Sequence, residues 1–183
     1  MLALQIRPVR AEEHAALGEL TVAAYAWADP RTLDDGYADE LRDVAGRARA
    51  AVVLAAVDGA TGEVLGGVTF VPDVANPLAE FTEPDAAGIR MLAVAPHARG
   101  RGVGEALTRA CIDRARAGGR RQIVLHSTDR MTAAHRLYTR LGFERDPGID
   151  WEPEPGLWLR GFRLRLDDRA AADAGRGSAG ATG

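Results

Sequence analysis

MLAVAPHARGRGVGEALTRACIDRARAGG, Met91 to Gly119, is the stretch on which the fold turns. Ile89 to Val94 has the alternation of a strand, with Met91 and Ala93 on one face and Leu92 and Val94 on the other. Pro96 closes that run. Val103, Leu107, Ala110, Cys111 and Ala115 then form one apolar stripe at helical spacing, while Glu105, Thr108, Asp113 and Arg116 lie off it. Gly118-Gly119 stops the helix. Between strand and helix stands Arg99-Gly100-Arg101-Gly102-Val103-Gly104. A helix N-terminus leaves amides unpaired and carries partial positive charge. Glycines let an oxygen-rich anion reach the main chain with no Cβ in the way. The spacing therefore predicts a phosphate or diphosphate site, the alternative being a tight strand-to-helix turn. The loop lacks the Gly-Lys-Ser/Thr ending of a nucleotide-triphosphate loop. Nor does it fit the Gly-x-Gly-x-x-Gly dinucleotide fingerprint with its ribose-binding acid.

Outward from this core, Leu4 to Arg7 reads as a short strand stopped by Pro8, and Ala11 to Ala26 as a helix. Leu33 to Ala48 reads as a second, more polar helix. Ala51 to Val57 and Glu63 to Val71 flank the turn Asp58-Gly59-Ala60-Thr61-Gly62 as a hairpin. Pro72 to Gly88 is a loop, and Gln122 to Ser127 a strand. Thr132 to Leu141 is a short helix with Ala134, Leu137, Tyr138 and Leu141 on one face and Gly142 as its stop. Leu157 to Leu166 is a last strand whose apolar phase slips near Gly161, which predicts a bulge. This order predicts one mixed α/β (α+β) domain over residues 1–166, built on one central sheet. Asp167 to Gly183 offers almost nothing to bury and is expected to be a disordered tail.

Composition agrees with a single domain: 183 residues, 46% of them hydrophobic. The net charge of -3 provides no global field for nucleic acid. No run has the length of a membrane span or the shape of a signal peptide. The lone Cys111 cannot form an internal disulfide, so a cytoplasmic setting is expected, and its place on the helix stripe predicts core packing. No paired Cys/His spacing suggests a metal, and no Gly-x-Ser-x-Gly elbow suggests a serine nucleophile.

Arg99 to Gly104 resembles the Arg/Gln-x-x-Gly-x-Gly/Ala motif of the GNAT superfamily of N-acetyltransferases. MTAAHRLYTRLGF, Met131 to Phe143, resembles the family's second signature, a helix ending in Leu-Tyr-x-x-Leu-Gly-Phe. The likeness covers Ile89 to Phe143, and IRPVRAEEHAALGEL shares it more loosely. The resemblance implies a central, mostly antiparallel mixed sheet flanked by helices, with the fourth and fifth strands parallel and splayed. Here those are Ile89–Val94 and Gln122–Ser127. It implies acetyl-CoA as cosubstrate, with no metal. Leu92, Ala93 and Val94 would offer backbone groups to the pantetheine arm. Arg99, Gly100, Arg101, Gly102, Val103 and Gly104 would cradle the diphosphate, with Glu105 at its edge.

The implied reaction is direct transfer of an acetyl group, in a ternary complex, to a primary amine of a small molecule or peptide. That amine must first lose a proton, since an alkyl ammonium has a pKa of roughly 10. The Val94 amide would face the oxyanion. Tyr138 matches the family's acid for the departing thiolate; otherwise it is a core tyrosine. His126 aligns with a strand position where some members carry a catalytic Glu; otherwise it is a strand-end histidine making one hydrogen bond. Glu80, Glu83, Asp85 or a water relay are the other routes for the proton. Two departures stand out. Gly88 occupies a position where some relatives carry Glu, and Met131 one where Asn often touches the cofactor. Ser127 or Thr128 would replace that contact, or Ser127-Thr128-Asp129 caps the next helix. Trp27, beside Asp29, is the better acceptor-pocket candidate among Trp27, Trp151 and Trp158, and Trp158 is expected to pack at the sheet end. Asp34, Asp35 and Asp39 would attract a cation or form a solvated face. The expected partner is the amine, with neither nucleic acid nor membrane. Dimers are common for the implied fold, which leaves a homodimer open. Met131 and Gly88 keep a second reading in view: a non-catalytic acyl-CoA-binding regulatory module.

Overall fold

Ile89 and Leu125 are the last residues at which the two parallel strands pair, and the rest of the chain is arranged around that point. The computed structural model describes residues 3–33 and 36–166. Its strands are β1 (Leu4–Pro8), β2 (Val52–Asp58), β3 (Val64–Val71), β4 (Ala86–Val94), β5 (Gln122–Thr128), β6 (Glu144–Arg145), β7 (Trp151–Glu154) and β8 (Leu157–Arg165). They form one sheet in the order β1-β2-β3-β4-β5-β8-β6, with β7 added on β8. β4 and β5 run parallel, and the other pairs are antiparallel. The helices are α1 (His14–Ala28), α2 (Tyr37–Arg42), α3 (Val44–Ala50), α4 (Val103–Ala117) and α5 (Thr132–Arg140). This is the mixed α/β architecture expected from the order of elements.

Four residues of the predicted α4 stripe are buried as expected, Ala110 is partly so, and Thr108, expected off the stripe, is buried with its hydroxyl donating to the Gly104 carbonyl at 2.8 Å. Val103, Leu107, Cys111 and Ala115 pack with Leu54, Ala56, Leu65 and Val68 of the sheet. Burying an aliphatic side chain contributes roughly 1.5–3 kcal/mol, so this face holds the helix and its glycine loop in place. Leu17 of α1 packs with Val44 and Val53 in a second cluster.

Four expectations are corrected. The helix expected over Leu33–Ala48 is two helices. Asp43 breaks the run with ψ 63 and caps α3, its carboxylate accepting from the Gly46 amide at 2.7 Å. The first helix begins as a 3-10 turn at Ala11–Glu13 and becomes α-helical at His14. The bulge expected at Gly161 is absent, because β5 and β8 stay in register from Gln122↔Arg165 to Thr128↔Leu159. The apolar residues change faces because the cover changes. Leu157 and Leu159 line a cavity, whereas Phe162 joins the core under α4 and α5. Gly161 is required there by close approach, since a Cβ would lie 2.2 Å from Ile149 Cγ1. Ser127, Thr128 and Asp129 do not cap α5, whose N-cap residue is Met131 with no side-chain cap. The segment expected to be a tail, and Asp34 and Asp35, lie outside the described residues.

The segment before β7 is held to β8 by Asp150. Its carboxylate accepts from Arg145 at 2.9 Å, Arg160 at 3.0 Å and the Gly161 amide at 2.8 Å. Burial works to raise its pKa, but these hydrogen bonds prevail and hold it at about 2. Asp150→Asn is expected to cost about 2 kcal/mol, or roughly 4–8 °C in melting temperature. An aspartate in the unfolded chain titrates near pH 3.9, so the contribution is complete above that and fades as pH falls towards 2. Melting curves of both proteins at pH 7 and pH 2.5 should therefore differ widely at the first and markedly less at the second.

Candidate functional site

Beyond Ile89 and Leu125 the parallel strands part. β5 continues along β8 to Thr128↔Leu159, while β4 follows β3 to Gly66↔Val94. The divergence has a local cause on β4. Thr69 pairs with Arg90 and Gly67 with Ala93, so β4 holds one residue more than β3 across this interval. Met91 within it has φ 53, an uncommon left-handed conformation for a residue other than glycine. Such a bulge bends a strand and re-aims its backbone groups. Leu92, Ala93 and Val94 lie just past the split, on the strand that leads into the glycine loop.

A 3-10 turn at Pro96–Ala98 carries β4 into that loop. Gly100 has φ 72 and Gly102, the N-cap of α4, has φ 84, conformations glycine adopts freely. A Cβ on either would find no atom within 4 Å, so the main chain is open to a ligand there. The amides of Val103, Gly104 and Glu105 begin α4 and have no partner within the helix. A Cβ on Gly104 would lie 3.4 Å from Leu137 and 3.6 Å from Val94, so α5 crosses close to both the helix start and the end of β4. Glu105 pairs with Arg109 at 2.8 Å and Arg140 at 3.2 Å, and these hydrogen bonds hold its carboxyl below the usual range. The Arg99 guanidinium lies 3.7 Å from the centre of the Trp27 ring, and burial lowers its pKa. Arg101 is exposed.

Tyr138 is 5% exposed and stands between Phe143 and Phe162, each ring centre 5.7 Å away. Burial raises its pKa above the ordinary tyrosine value, with a smaller push from Cys111. Its hydroxyl makes no hydrogen bond to the described residues. Cys111 is fully buried on α4, and burial raises its thiol pKa to about 12, as suits packing.

A cavity of about 340 Å³ opens at the split, on the side of α1, α2 and β7. Tyr25, Tyr37, Met91, Met131 and Trp151 give it apolar and aromatic walls; Arg31, Glu40, Glu80, Arg90, His126, Ser127, Thr128 and Glu154 give it polar ones. Arg31 is bound on three sides, to buried Asp29 at 2.6 Å, to Asp129 at 2.5 Å and to the Gly156 carbonyl at 3.0 Å. Arg90 pairs with Glu80 at 2.6 Å. His126 Nε2 lies 2.8 Å from the Ile149 carbonyl oxygen. A carbonyl can only accept, so the neutral ring carries its proton on Nε2 and keeps a lone pair on Nδ1.

The model for the acetyltransferase (GNAT) family matches residues 14–143. The chain belongs to the GNAT family. A GCN5-related N-acetyltransferase from Kribbella flavida is 27% identical, with a TM-score of 0.64 over 90% of this chain and 98% of that one. A GNAT acetyltransferase from Staphylococcus aureus Mu50 is 14% identical, with a TM-score of 0.71 over 90% and 99%. A GNAT acetyltransferase from Brucella melitensis, solved in complex with acetyl-CoA, is 24% identical with a TM-score of 0.59 over 91% and 90%. No curated protein matches the sequence.

Within this GNAT domain the residues expected to act divide into groups. Leu92 to Val94 and Arg99 to Glu105 form one continuous strand-loop-helix corner. Of the expected proton acceptors, His126 and Glu80 line the cavity. Glu83 pairs instead with Arg163 at 2.6 Å, and Asp85 accepts from Gln122 at 2.6 Å. Gly88 has a packing reason: a Cβ there would lie 2.6 Å from Phe81 Cε1, so that ring occupies the space of a side chain at position 88. Trp27 does not line the cavity and stacks on Arg99; Trp151 is the tryptophan on the wall. Trp158 is 39% exposed near Arg160. Asp39 is exposed and pairs with Arg42 at 3.2 Å. Arg31 and Met91 were not found by sequence reasoning. Arg31 draws its partners from three distant parts of the chain, and no residue pattern marks the bulge at Met91. Among the described residues no group of three or more His, Cys, Asp or Glu could hold a metal ion, and no helix is long and apolar enough to cross a membrane.

Proposed function

We propose that the protein transfers the acetyl group of acetyl-CoA to a primary amine of a small molecule or peptide, by direct attack in a ternary complex. The observation that carries this reading is the corner between β4 and α4. The parallel strands part after Ile89 and Leu125, and β4 leads to a helix start whose Gly100 and Gly102 leave open space. These residues fit a diphosphate followed by an extended arm. The amides from Gly100 to Glu105 would hold the phosphates, with Arg99 and Arg101 beside them. Backbone groups of Leu92, Ala93 and Val94 would align the arm. Acetyl-CoA, when bound, supplies an activated acetyl group as its thioester.

The cavity on the other side of the split would receive the amine. His126 lines it, and the lone pair on Nδ1 would accept the amine proton, directly or through water. Glu80 is the weaker candidate, because its carboxylate is already engaged by Arg90 at 2.6 Å. Tyr138 would return a proton to the departing thiolate.

The test is thiol release from acetyl-CoA over a panel of primary amines, beside calorimetry with CoA. Turnover with at least one amine, and a loss of roughly 10²-fold in kcat/KM for His126→Gln with CoA affinity unchanged, is the expected outcome. Tight CoA binding with no turnover on any amine would leave the non-catalytic binding module as the better description.

A further inference from the structure

The cavity's charges discriminate between kinds of amine. Both guanidiniums on its wall are committed. Arg31 gives Nε and Nη2 to Asp29, Nη2 also to Asp129, and Nη1 to the Gly156 carbonyl. Arg90 pairs with Glu80 through Nη2 and donates from Nη1 to the Leu78 carbonyl. Glu40 and Glu154 also line the cavity, and neither has a basic partner among the described residues. Glu40 at the exposed rim and Glu154 thus leave negative charge without a salt-bridge partner on this wall, and both guanidiniums of the wall already hold acidic partners. Tyr25, Tyr37 and Trp151 add aromatic surface, whose faces attract cations. A second and independent feature is Ser127. It is 4% exposed, lies on the cavity wall, and its hydroxyl has no hydrogen-bond partner. A buried hydroxyl without a partner has a donor and an acceptor to offer a polar group brought by a ligand, and an ammonium would donate to its oxygen.

We propose that the acceptor is a small primary amine carrying no carboxylate, admitted as its ammonium form between Glu40, Glu154 and the aromatic walls. The inference rests on the acetyltransfer reading and narrows it. An α-amino acid would bring a carboxylate against two unpaired carboxylates, with both arginines already occupied. Its loss of hydration would go uncompensated. The simple amine with the same ring has no such penalty.

Matched pairs test this in the full chain: phenethylamine against phenylalanine, and tryptamine against tryptophan. Binding is measured by calorimetry with CoA present, and transfer by thiol release from acetyl-CoA. Each amine should bind at least tenfold more tightly than its amino acid, a difference of about 1.4 kcal/mol. The Glu40→Gln/Glu154→Gln double variant should narrow that ratio severalfold while CoA affinity stays as in the wild type. Equal or tighter binding of the amino acids, no binding of either member, or an unchanged ratio in a folded double variant would overturn the inference. Should the variant fail to fold, the wild-type ratio decides alone. An amine preference in binding with no thiol release over the whole amine panel would sink the acetyltransfer reading and leave the cavity's selectivity standing. Thiol release with no preference would do the reverse.

Discussion

Gly102→Glu should weaken acetyl-CoA binding by at least about 100-fold while the protein stays folded. Gly102 is the N-cap of α4, with φ 84 and nothing within 4 Å of where a Cβ would stand. An L-residue in that conformation costs roughly 1–2 kcal/mol, which a domain of this size survives. A Cβ at this position meets no neighbour, so the substitution starts from open space. Its carboxylate, however, enters the space proposed for two phosphates. Like charges about 4 Å apart repel by roughly 4 kcal/mol near a protein surface, and each 1.4 kcal/mol is tenfold in affinity. Two controls separate charge from strain. Gly102→Asn keeps a left-handed residue without charge and should lose severalfold at most. Gly62→Glu sets the same substitution at φ 77 in the β2–β3 turn, also in open space, and should match the wild type in CoA binding. Calorimetry with CoA and a melting curve for each variant read both quantities. Wild-type affinity in Gly102→Glu would remove the diphosphate from this loop, and with it the acetyl donor.

Much of this site was legible because it is local. A strand, a glycine loop and an amphipathic helix follow one another between Ile89 and Ala117, and each is set by spacing within a few residues. The α5 signature around Tyr138 is equally local. What could not be read depends on contacts between distant segments. Phe81 fills the space above Gly88, Ile149 presses on Gly161, and Arg31 ties Asp29 to Asp129 and Gly156. None of these pairings has a period or a composition that reveals it. Asp43 could have been read as a cap within the expected long helix, since Asp favours that position. The slip in the apolar phase of the last strand was read as a bulge, whereas the strand is regular and its apolar residues change face. The cause lies in different covers, a cavity at one end and helices at the other, and not in an inserted residue.

Tyr138→Phe offers the second large effect, a fall in kcat of roughly 10²–10³-fold at unchanged affinity for acetyl-CoA. The substitution removes one oxygen from a side chain held between Phe143 and Phe162, and the ring stacking survives it. The hydroxyl bonds to no described residue, so a purely structural tyrosine would lose nothing, and the variant would be as stable as the wild type or slightly more so. Stability and catalysis therefore pull apart, and the pair of measurements separates acid from core residue. The pH dependence follows from burial, which raises the phenol's pKa above its ordinary value near 10. The group is protonated throughout the neutral range and gives up its proton only at higher pH. An acid in that state loses no activity as pH climbs from 7 to 9, so no falling limb in that interval belongs to it. A leaving group that needs no proton gives a sharper test. With an acetyl thioester of a much more acidic thiol, departure as thiolate is easy, and the gap between wild type and Tyr138→Phe should shrink at least tenfold. An equal gap for both thioesters would assign the hydroxyl some task other than protonating sulfur, and no gap for either would return Tyr138 to the core.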